Sequence, residues 1–500
     1  MNTRRSFLHR ALTFGAAALS VPTLVGAESS QDFSASRSAG HSEKSRRRPA
    51  GLPVPVVTPD ILSLGHTLDG SVKVFYLVAE PVKQQVAPDK VLNLWGFNGS
   101  APGPTIQANQ GDRVRIVVDN HLPEPTSMHW HGFEIPNNMD GGPPVSQEPI
   151  KPGGRFIYEF TLLQEGTYFY HSHMAMQEMM GMLGGFIMHP KQPYRPVVDK
   201  DFLIALQEYA VLPSNVVPNS MNMEFNWLVI NGKAGPAITP LVVRLGDRVR
   251  IRMINLGMDH HPIHLHGHTF QVTGTEGGRI PETAWIPGNT VLVGVAQARD
   301  VEFVANNPGS WMLHCHLPHH MMNQMSSNVG LLTRTGTAAG ISIENAMGMF
   351  TGEPGVPTAD DYGPSLGRGM GVGSTSDQPR SNGPLSPRSN SQEMQHLPGM
   401  DMSMRSGDIA PNANSVPGFP QDAFMEGPMM AIDDMVAKPQ NSGLPAGWSG
   451  FMQGMMTFLR VLTPDEYDEV MRRVERGEKP QMPDMPGMKM DSLPNMKPRM

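Results

Sequence analysis

An all-β chain built from two tandem β-sandwich domains is predicted for these 500 residues by three observations. Between about residues 56 and 335, short β-branched runs (VRIVV, RFIYEF, DFLIAL, VRIRMI, DVEFV) alternate with Gly, Pro and Asn, the spacing of an antiparallel sandwich. The hexapeptide GDRVRI starts at Gly111 and again at Gly246, and HWHG at His129 is followed by HLHG at His264, both at an offset of 135 residues. Each copy then closes on a second His-x-His, His171/His173 and His314/His316, at an offset of 143. A duplicated unit of domain size follows, with 56–195 as the first copy and 196–335 as the second.

Residues 1–27 have the form of an export signal. TRRSFLHRALTFGAAALSVPTLVGA carries the twin arginine Arg4/Arg5, then Phe7 and Leu8, a short uncharged Gly/Ala-rich stretch and a small-residue site near Ala27. A periplasmic or secreted location, reached by the twin-arginine route, is the expectation. That route accepts folded proteins, which suits one that takes up a metal before export. No later stretch approaches the roughly 20 apolar residues of a spanning helix, so no transmembrane segment is expected. Residues 28–55, rich in Ser, Arg and Pro, read as a flexible lead in which Arg46, Arg47 and Arg48 form a solvated charge run. The net charge of −7 gives no reason to expect a nucleic-acid partner.

From 336 to 500 the chain turns rich in Gly, Pro, Ser and Met and loses periodicity, which predicts a largely disordered Met-rich tail. One piece of it reads as a helix near 464–475. Thr463 is placed as N-cap, Pro464 at the first helical position and Glu466 completes a capping box, with Tyr467, Val470, Met471 and Val474 on one face. Its docking surface is not specified by sequence.

The only cysteine, Cys315, stands between two histidines in HCHLPHHMMNQM. A single thiol has no intramolecular disulfide partner in an oxidising compartment. On a strand, residues i and i+2 share a face and i+1 takes the other, so His314 and His316 project together and Cys315 projects away from them. One tripeptide can then reach two metal sites, joined by its own backbone. A lone His-x-His is ordinarily a surface feature or a satisfied core pair; HWH, HSH, HLH and HCH at matched positions of a duplicated unit are not explained that way. Imidazole and thiolate together suit copper, and a set of two histidines and one cysteine with a weak axial Met is the blue-copper arrangement.

With HWHG, HSH, HPIHLHGH and HCHLPHHMMNQM in their observed spacing, the chain resembles the multicopper oxidases over about residues 60–335. The resemblance implies two cupredoxin-like Greek-key domains and four copper ions per active unit. It implies a type 1 copper on His261, Cys315, His320 and axial Met325, a type 2 copper on His129 and His264, and a type 3 pair on His131, His171, His173, His266, His314 and His316. His260, His268 and His319 miss the spacing. Domain 1 has no counterpart of the type 1 site, because Thr126, Ser172 and Gln177 stand at the positions matching His261, Cys315 and His320. Two such units without a third make the chain look like the two-domain laccases, whose trinuclear clusters form between subunits of a homotrimer. Asp140, nine residues after His131, matches the family aspartate that assists dioxygen reduction, although as a residue before two glycines it also reads as a turn former. Many bacterial relatives place a glutamate six residues past the cysteine; Met321 stands there.

The expected activity is oxidation of a substrate by single electrons at the type 1 copper, coupled to four-electron reduction of O2 to water. Two reductant classes remain open: phenols or aromatic amines, as in laccases, and Cu(I), as in a cuprous oxidase. The methionines of HMAMQEMMGM after His173, and of MDMSM, GPMM, MQGMM and MPDMPGMKM in the tail, speak for Cu(I), since thioether sulfur is a soft ligand; Met174 to Met182 equally fits core packing. A copper nitrite reductase would place blue copper in domain 1 and lack the type 3 histidines, and a copper carrier or storage protein would need no complete cluster.

Overall fold

The computed structural model describes residues 53–327 (except 89, 175, 212–214, 221, 222, 224 and 322–324), the strand 423–425, and residues 432–478. The export signal, nearly all of the lead, and 479–500 lie outside the described residues.

Domain 1 contains β1 (Thr67–Asp69), β2 (Val72–Ala87), β3 (Lys90–Phe97), β4 (Gly103–Asn109), β5 (Arg113–Asn120), β6 (Met128–His131), β7 (Arg155–Thr161), β8 (Gly166–Ser172) and β9 (Leu183–His189). One sheet has the order β1-β2-β5-β7, with β3 also paired to β2; the other has the order β4-β9-β8-β6. Between them Phe75, Leu77, Trp130, Tyr158, Phe160 and Phe186 form the core.

Domain 2 contains β10 (Lys200–Tyr209), β11 (Trp227–Ile230), β12 (Leu241–Arg244), β13 (Arg248–Asn255), β14 (His261–Leu265), β15 (Phe270–Thr275), β16 (Gly278–Arg279), β17 (Ile286–Gly288), β18 (Thr290–Val293), β19 (Gln297–Val304) and β20 (Gly309–Cys315). Its first sheet runs β11-β10-β13-β19-β15-β16, with β17 on β15. A two-stranded ribbon pairs β21 (Met325–Ser327) with β22 (Ala423–Met425). The second sheet needs a further strand, β23 (Met456–Leu462), giving the order β12-β23-β20-β14-β18. Both domains are thus cupredoxin-like sandwiches.

The position of β23 corrects the expectation that everything after 335 is tail. β23 runs antiparallel to β20 and parallel to β12, as β9 runs antiparallel to β8 and parallel to β4. It is the domain 2 counterpart of β9. In domain 1 nine residues (174–182) separate His173 from β9, whereas 139 (317–455) separate His316 from β23. Much of the Met-rich stretch is therefore an insertion within domain 2. Every residue of β23 is buried, with Leu459 and Val461 in the core shared with Cys315 and with Met456 and Phe458 packed on Trp448 and Leu444. A strand covered on both faces shows no polar–apolar alternation, so MTFLRVL lacked the period that marks the other strands. MQGMM, grouped by sequence with exposed copper-binding methionines, is core: Met452 is 1% exposed and Met455 0%.

The predicted helix is present as α1 (Pro464–Arg476), with the Thr463/Glu466 capping box and a left-handed Gly477 closing it. It docks on its own domain: Tyr467 and Val470 pack on Val242 of β12 and Leu462 of β23, with Met471 and Val474 alongside. The Tyr467 hydroxyl bonds Lys200 Nζ, and Arg244 pairs with Asp468.

The second sheet of domain 1 packs on the first sheet of domain 2 through Phe169, Leu183 and Ile187 against Leu203, Ala205, Ile254 and Ala298. Thr167 of β8 donates to Asp300 at 2.7 Å and accepts from Arg252 at 2.7 Å, tying the buried Arg252–Asp201 pair to the domain boundary. This arrangement leaves the second sheet of domain 2 on the side of its sandwich away from domain 1. Among the described residues no helix is long and apolar enough to cross a membrane.

Candidate metal centres

His261 opens β14, Cys315 ends β20 and His320 sits in the single 3-10 turn that follows; all three are fully buried. Cys315 Sγ lies 3.4 Å from His320 Nδ1 and 3.8 Å from His261 Nδ1, and the two Nδ1 atoms are 3.1 Å apart. Three donors converge on one point with no proton on either Nδ1 to link them once the outer nitrogens carry it. The outer nitrogen of His261, Nε2, donates to Glu208 Oε2 at 3.1 Å, and that of His320 is 3.3 Å from Asp259 Oδ2. A carboxylate bonded to the far nitrogen, as Glu208 is to His261, fixes tautomer and ring orientation and turns the near nitrogen toward a metal. Glu208, itself fully buried, also accepts the backbone N–H groups of Met258 and Asp259. Gly257 must be glycine, since a Cβ there would fall 2.1 Å from the Glu208 carboxylate.

Burial keeps His320 and Cys315 uncharged. It lowers His320 to about 3, leaving a neutral imidazole, and pushes the Cys315 thiol up to about 12. The thiol then holds its proton until a cation displaces it, and metal uptake releases that proton. Two imidazoles and a thiolate fit copper.

Each domain carries one histidine quartet on its second sheet. His129 and His171 are direct cross-strand partners on β6 and β8, as are His264 and His314 on β14 and β20. In domain 1 the His129 ring is 5.5, 5.3 and 5.2 Å from those of His131, His171 and His173, and His131 Nδ1 is 3.3 Å from His171 Nε2. In domain 2 the His264 ring is 4.8, 5.6 and 5.6 Å from those of His266, His314 and His316, and His266 Nε2 is 3.0 Å from His314 Nε2. His171 and His314 each donate Nδ1–H to the carbonyl of the next residue, at 3.0 and 2.8 Å. His129 and His264 donate Nδ1–H to the carbonyls of Asp140 and Asn289, both at 2.8 Å. All four rings therefore present an unprotonated Nε2, which in His171 and His314 faces His131 and His266. Burial lowers His131 to about 4 and also lowers His129, His266 and His314, so these rings stay neutral and able to ligate. His173 and His316 are exposed at the quartet edges.

Among the described residues no hydrogen bond or ring contact joins a histidine of one quartet to one of the other. The Asp140 carboxylate, 41% exposed, is 3.5 Å from His129 Nδ1. His268 packs on Phe303 and Trp311, His260 accepts from Val295 N–H, and His319 is exposed beside His320. Met325 begins β21, its backbone paired with Met425. Its side chain lies outside the described residues.

The matching pocket of domain 1 is closed by hydrogen bonds instead of metal donors. Ser172 donates to Gln177 Oε1 at 2.6 Å and Thr126 does so at 2.8 Å, while Gln177 Nε2 bonds Pro125 O at 2.8 Å. Glu208 and Asp259 were missed from sequence. Asp259 adjoins HHPIHLHGH and was within reach of a search for acids beside the ligand motif, whereas Glu208 lies 53 residues before His261 and only folding brings it near.

Sandwich folds with a buried group of one cysteine and two histidines and with paired histidine quartets define a cupredoxin-type copper protein. Multicopper oxidase family models match residues 81–193 and 211–330, and the chain belongs to the multicopper oxidase family. It is similar to the copper resistance protein A homolog of Pseudomonas syringae pv. tomato, 41% identical over 114 residues, covering 23% of this chain and 19% of that protein. It is also similar to multicopper oxidase MmcO of Mycobacterium tuberculosis, 30% identical over 244 residues, covering 42% and 47%. The chain therefore matches about a fifth to a half of the length of these curated relatives. Among solved structures, the blue copper oxidase from Nitrosomonas europaea is 33% identical, covering 50% of this chain and 81% of that one, with a TM-score of 0.47.

Proposed function

We propose that the protein is a dioxygen-reducing multicopper oxidase that acts as a homotrimer after export by the twin-arginine route. The observation carrying this is the covalent step at Cys315: its side chain joins the buried group of His261 and His320, and its neighbours His314 and His316 belong to the domain 2 quartet. Copper held at these positions supplies one-electron oxidation of a reductant at the cysteine site and four-electron reduction of O2 at the histidine cluster. His129 and His264 would hold the type 2 ion, and His131, His171, His173, His266, His314 and His316 the type 3 pair. Glu208 and the Asp140, Asn289, Ser172 and Cys315 carbonyls orient the rings. Fixed orientation lets the donors receive metal without rearrangement.

The absence, among the described residues, of any hydrogen bond or ring contact between the two quartets favours cluster assembly between copies, domain 1 of one against domain 2 of the next, closing a ring. Mixing variants tests this. His171→Ala spoils only the domain 1 half and His314→Ala only the domain 2 half. Each alone should be inactive, and co-expression should restore about a quarter of wild-type oxygen uptake, the share of randomly formed interfaces that pair two intact halves. No recovery in mixed trimers would place both halves of a cluster in one chain.

Asp140 is assigned as proton donor to the oxygen step. Because the bond that orients His129 comes from the Asp140 backbone carbonyl, Asp140→Asn keeps the ligand in place and removes only the acid. Reduction of the blue site by substrate should be unchanged, and oxygen turnover should fall about 10²-fold or more, the usual contribution of a positioned acid. Full turnover, followed by oxygen electrode beside stopped-flow bleaching, would leave Asp140 as a turn residue.

Of the reductants, Cu(I) is favoured by the placement of Met347, Met349, Met400, Met402 and Met404 between His320 and Met455, two residues whose backbones are bonded to each other. The insertion whose sequence carries these methionines thus begins and ends beside Cys315, at the backbones of His320 and Met455.

A further inference from the structure

We infer that Met455, carried in from beyond the insertion, is the fourth ligand of the Cys315 copper site, in place of Met325; this rests on the copper-oxidase reading above. β20 and β23 pair with His314 opposite Met456. One step further along this antiparallel register sets Met455 opposite Cys315, and Cys315 N–H donates to the Met455 carbonyl at 3.0 Å. Directly opposed residues share a face with their Cβ atoms about 4.5–5.5 Å apart, so Met455 lies on the face to which Cys315 turns, away from His314. Its own N–H donates to the His320 carbonyl at 2.9 Å. The Met455 backbone is thus bonded to the backbones of two of the three donors, and its side chain is 0% exposed in the cluster that contains Cys315 and Ile263.

Domain 1 repeats the arrangement residue for residue. Ser172 N–H donates to the Met182 carbonyl at 3.0 Å, Met182 N–H donates to the Gln177 carbonyl at 3.3 Å, and Met182 is fully buried. Ser172 and Gln177 match Cys315 and His320 at the offset of 143, so Met182 and Met455 occupy the same corner of the same pocket. Spacing alone selects Met325, ten residues past the cysteine, because counting along the chain does not register that the insertion interrupts the site after His320. The Met325 backbone is committed to the β21–β22 ribbon.

A thioether at the axial position binds weakly and tunes the potential of a blue-copper site. It stabilises the oxidised ion more than the reduced one, so its removal raises the potential. The test is redox titration and electron paramagnetic resonance of the copper-loaded full chain bearing Met455→Leu, Met325→Leu or Met182→Leu. Met-to-Leu exchange conserves volume and is among the best tolerated core substitutions. Met455→Leu should keep the blue band, raise the potential and change the copper hyperfine splitting. Met455→Gln should lower the potential, while Met325→Leu and Met182→Leu should leave it at the wild-type value. Met182→Leu also reports what the same exchange does to packing where no copper binds. A shift with Met325→Leu, or none with either Met455 variant while the wild type is blue, would overturn the assignment. A wild-type protein that takes up copper without a blue band would instead overturn the underlying site reading.

Discussion

A chain stopped at residue 336 is expected to lose its second domain, not merely an appendage. β23 lies between β12 and β20, so its removal leaves β12 without a partner strand and β20 with an open edge and takes with it the buried side chains of Met455, Met456, Phe458, Leu459, Val461 and Leu462. At about 1.5–3 kcal/mol for each buried apolar side chain, the loss is about 9–18 kcal/mol, against a total stability of about 5–15 kcal/mol for an ordinary domain. The truncated chain should accumulate as insoluble protein, or show one thermal transition where the full chain shows domain 2 as well, and it should bind no blue copper. Excision of 330–420 provides the contrast. It keeps every described strand and leaves four residues between β21 and β22, a normal hairpin connection, so this variant should fold with a melting temperature near that of the full chain. The same protein separates the reductants. If the inserted thioethers hold Cu(I) near the entrance, at an effective concentration on the order of millimolar, their loss should raise the KM for Cu(I) and leave phenol oxidation alone. Unchanged uptake with both reductants would remove Cu(I) capture from the function, and a soluble, cooperatively folded 1–336 chain would contradict the assignment of β23.

What was legible in the sequence was chemistry held in short motifs. His261 to His266, His314 to His320 and their domain 1 counterparts are close along the chain, and two-residue alternation on a strand places Cys315 opposite His314 without any tertiary information. Long-range closure was not legible. Glu208 reaches His261 only because the end of β10 lies under the Met258–Asp259 loop, and a single buried glutamate carries no periodic signal. Met455 was concealed twice, by an insertion that defeats counting and by a Met-rich setting that reads as solvated chain. α1 was legible because capping boxes and amphipathic faces are local properties; its docking on β12 and β23 was not, because β23 itself had not been recognised. The short strand MTFLRVL could have been found by asking which segment supplies the counterpart of LGGFIMH, the β9 sequence that closes the sheet in domain 1.

Cys315→Ser should remove the intense blue absorption and reduce oxidase turnover to background while the fold remains. The cysteine is the only thiol in the chain, and the intense band of such a site arises from thiolate-to-copper charge transfer, which a hydroxyl cannot supply. Domain 1 already shows the outcome of serine at this position. Ser172 is fully satisfied by Gln177 within a pocket of the same construction, so the substitution itself is compatible with the strand. In domain 2 the neighbours remain His261 and His320, whose Nδ1 atoms stand 3.1 Å apart, and a serine hydroxyl between them adds a weak, hard donor that copper does not favour. The histidine quartets are untouched, since His314 keeps its bond to the residue 315 carbonyl, a backbone atom. Copper content should therefore fall by one ion per chain, with the near-ultraviolet and paramagnetic signals of the histidine cluster retained and electron entry from substrate lost. Absorption, copper analysis and oxygen uptake on one preparation check all three points. A blue band that survives in the serine variant would place the charge-transfer site elsewhere, and loss of every copper ion would show that the thiolate group and the histidine cluster form as one cooperative unit.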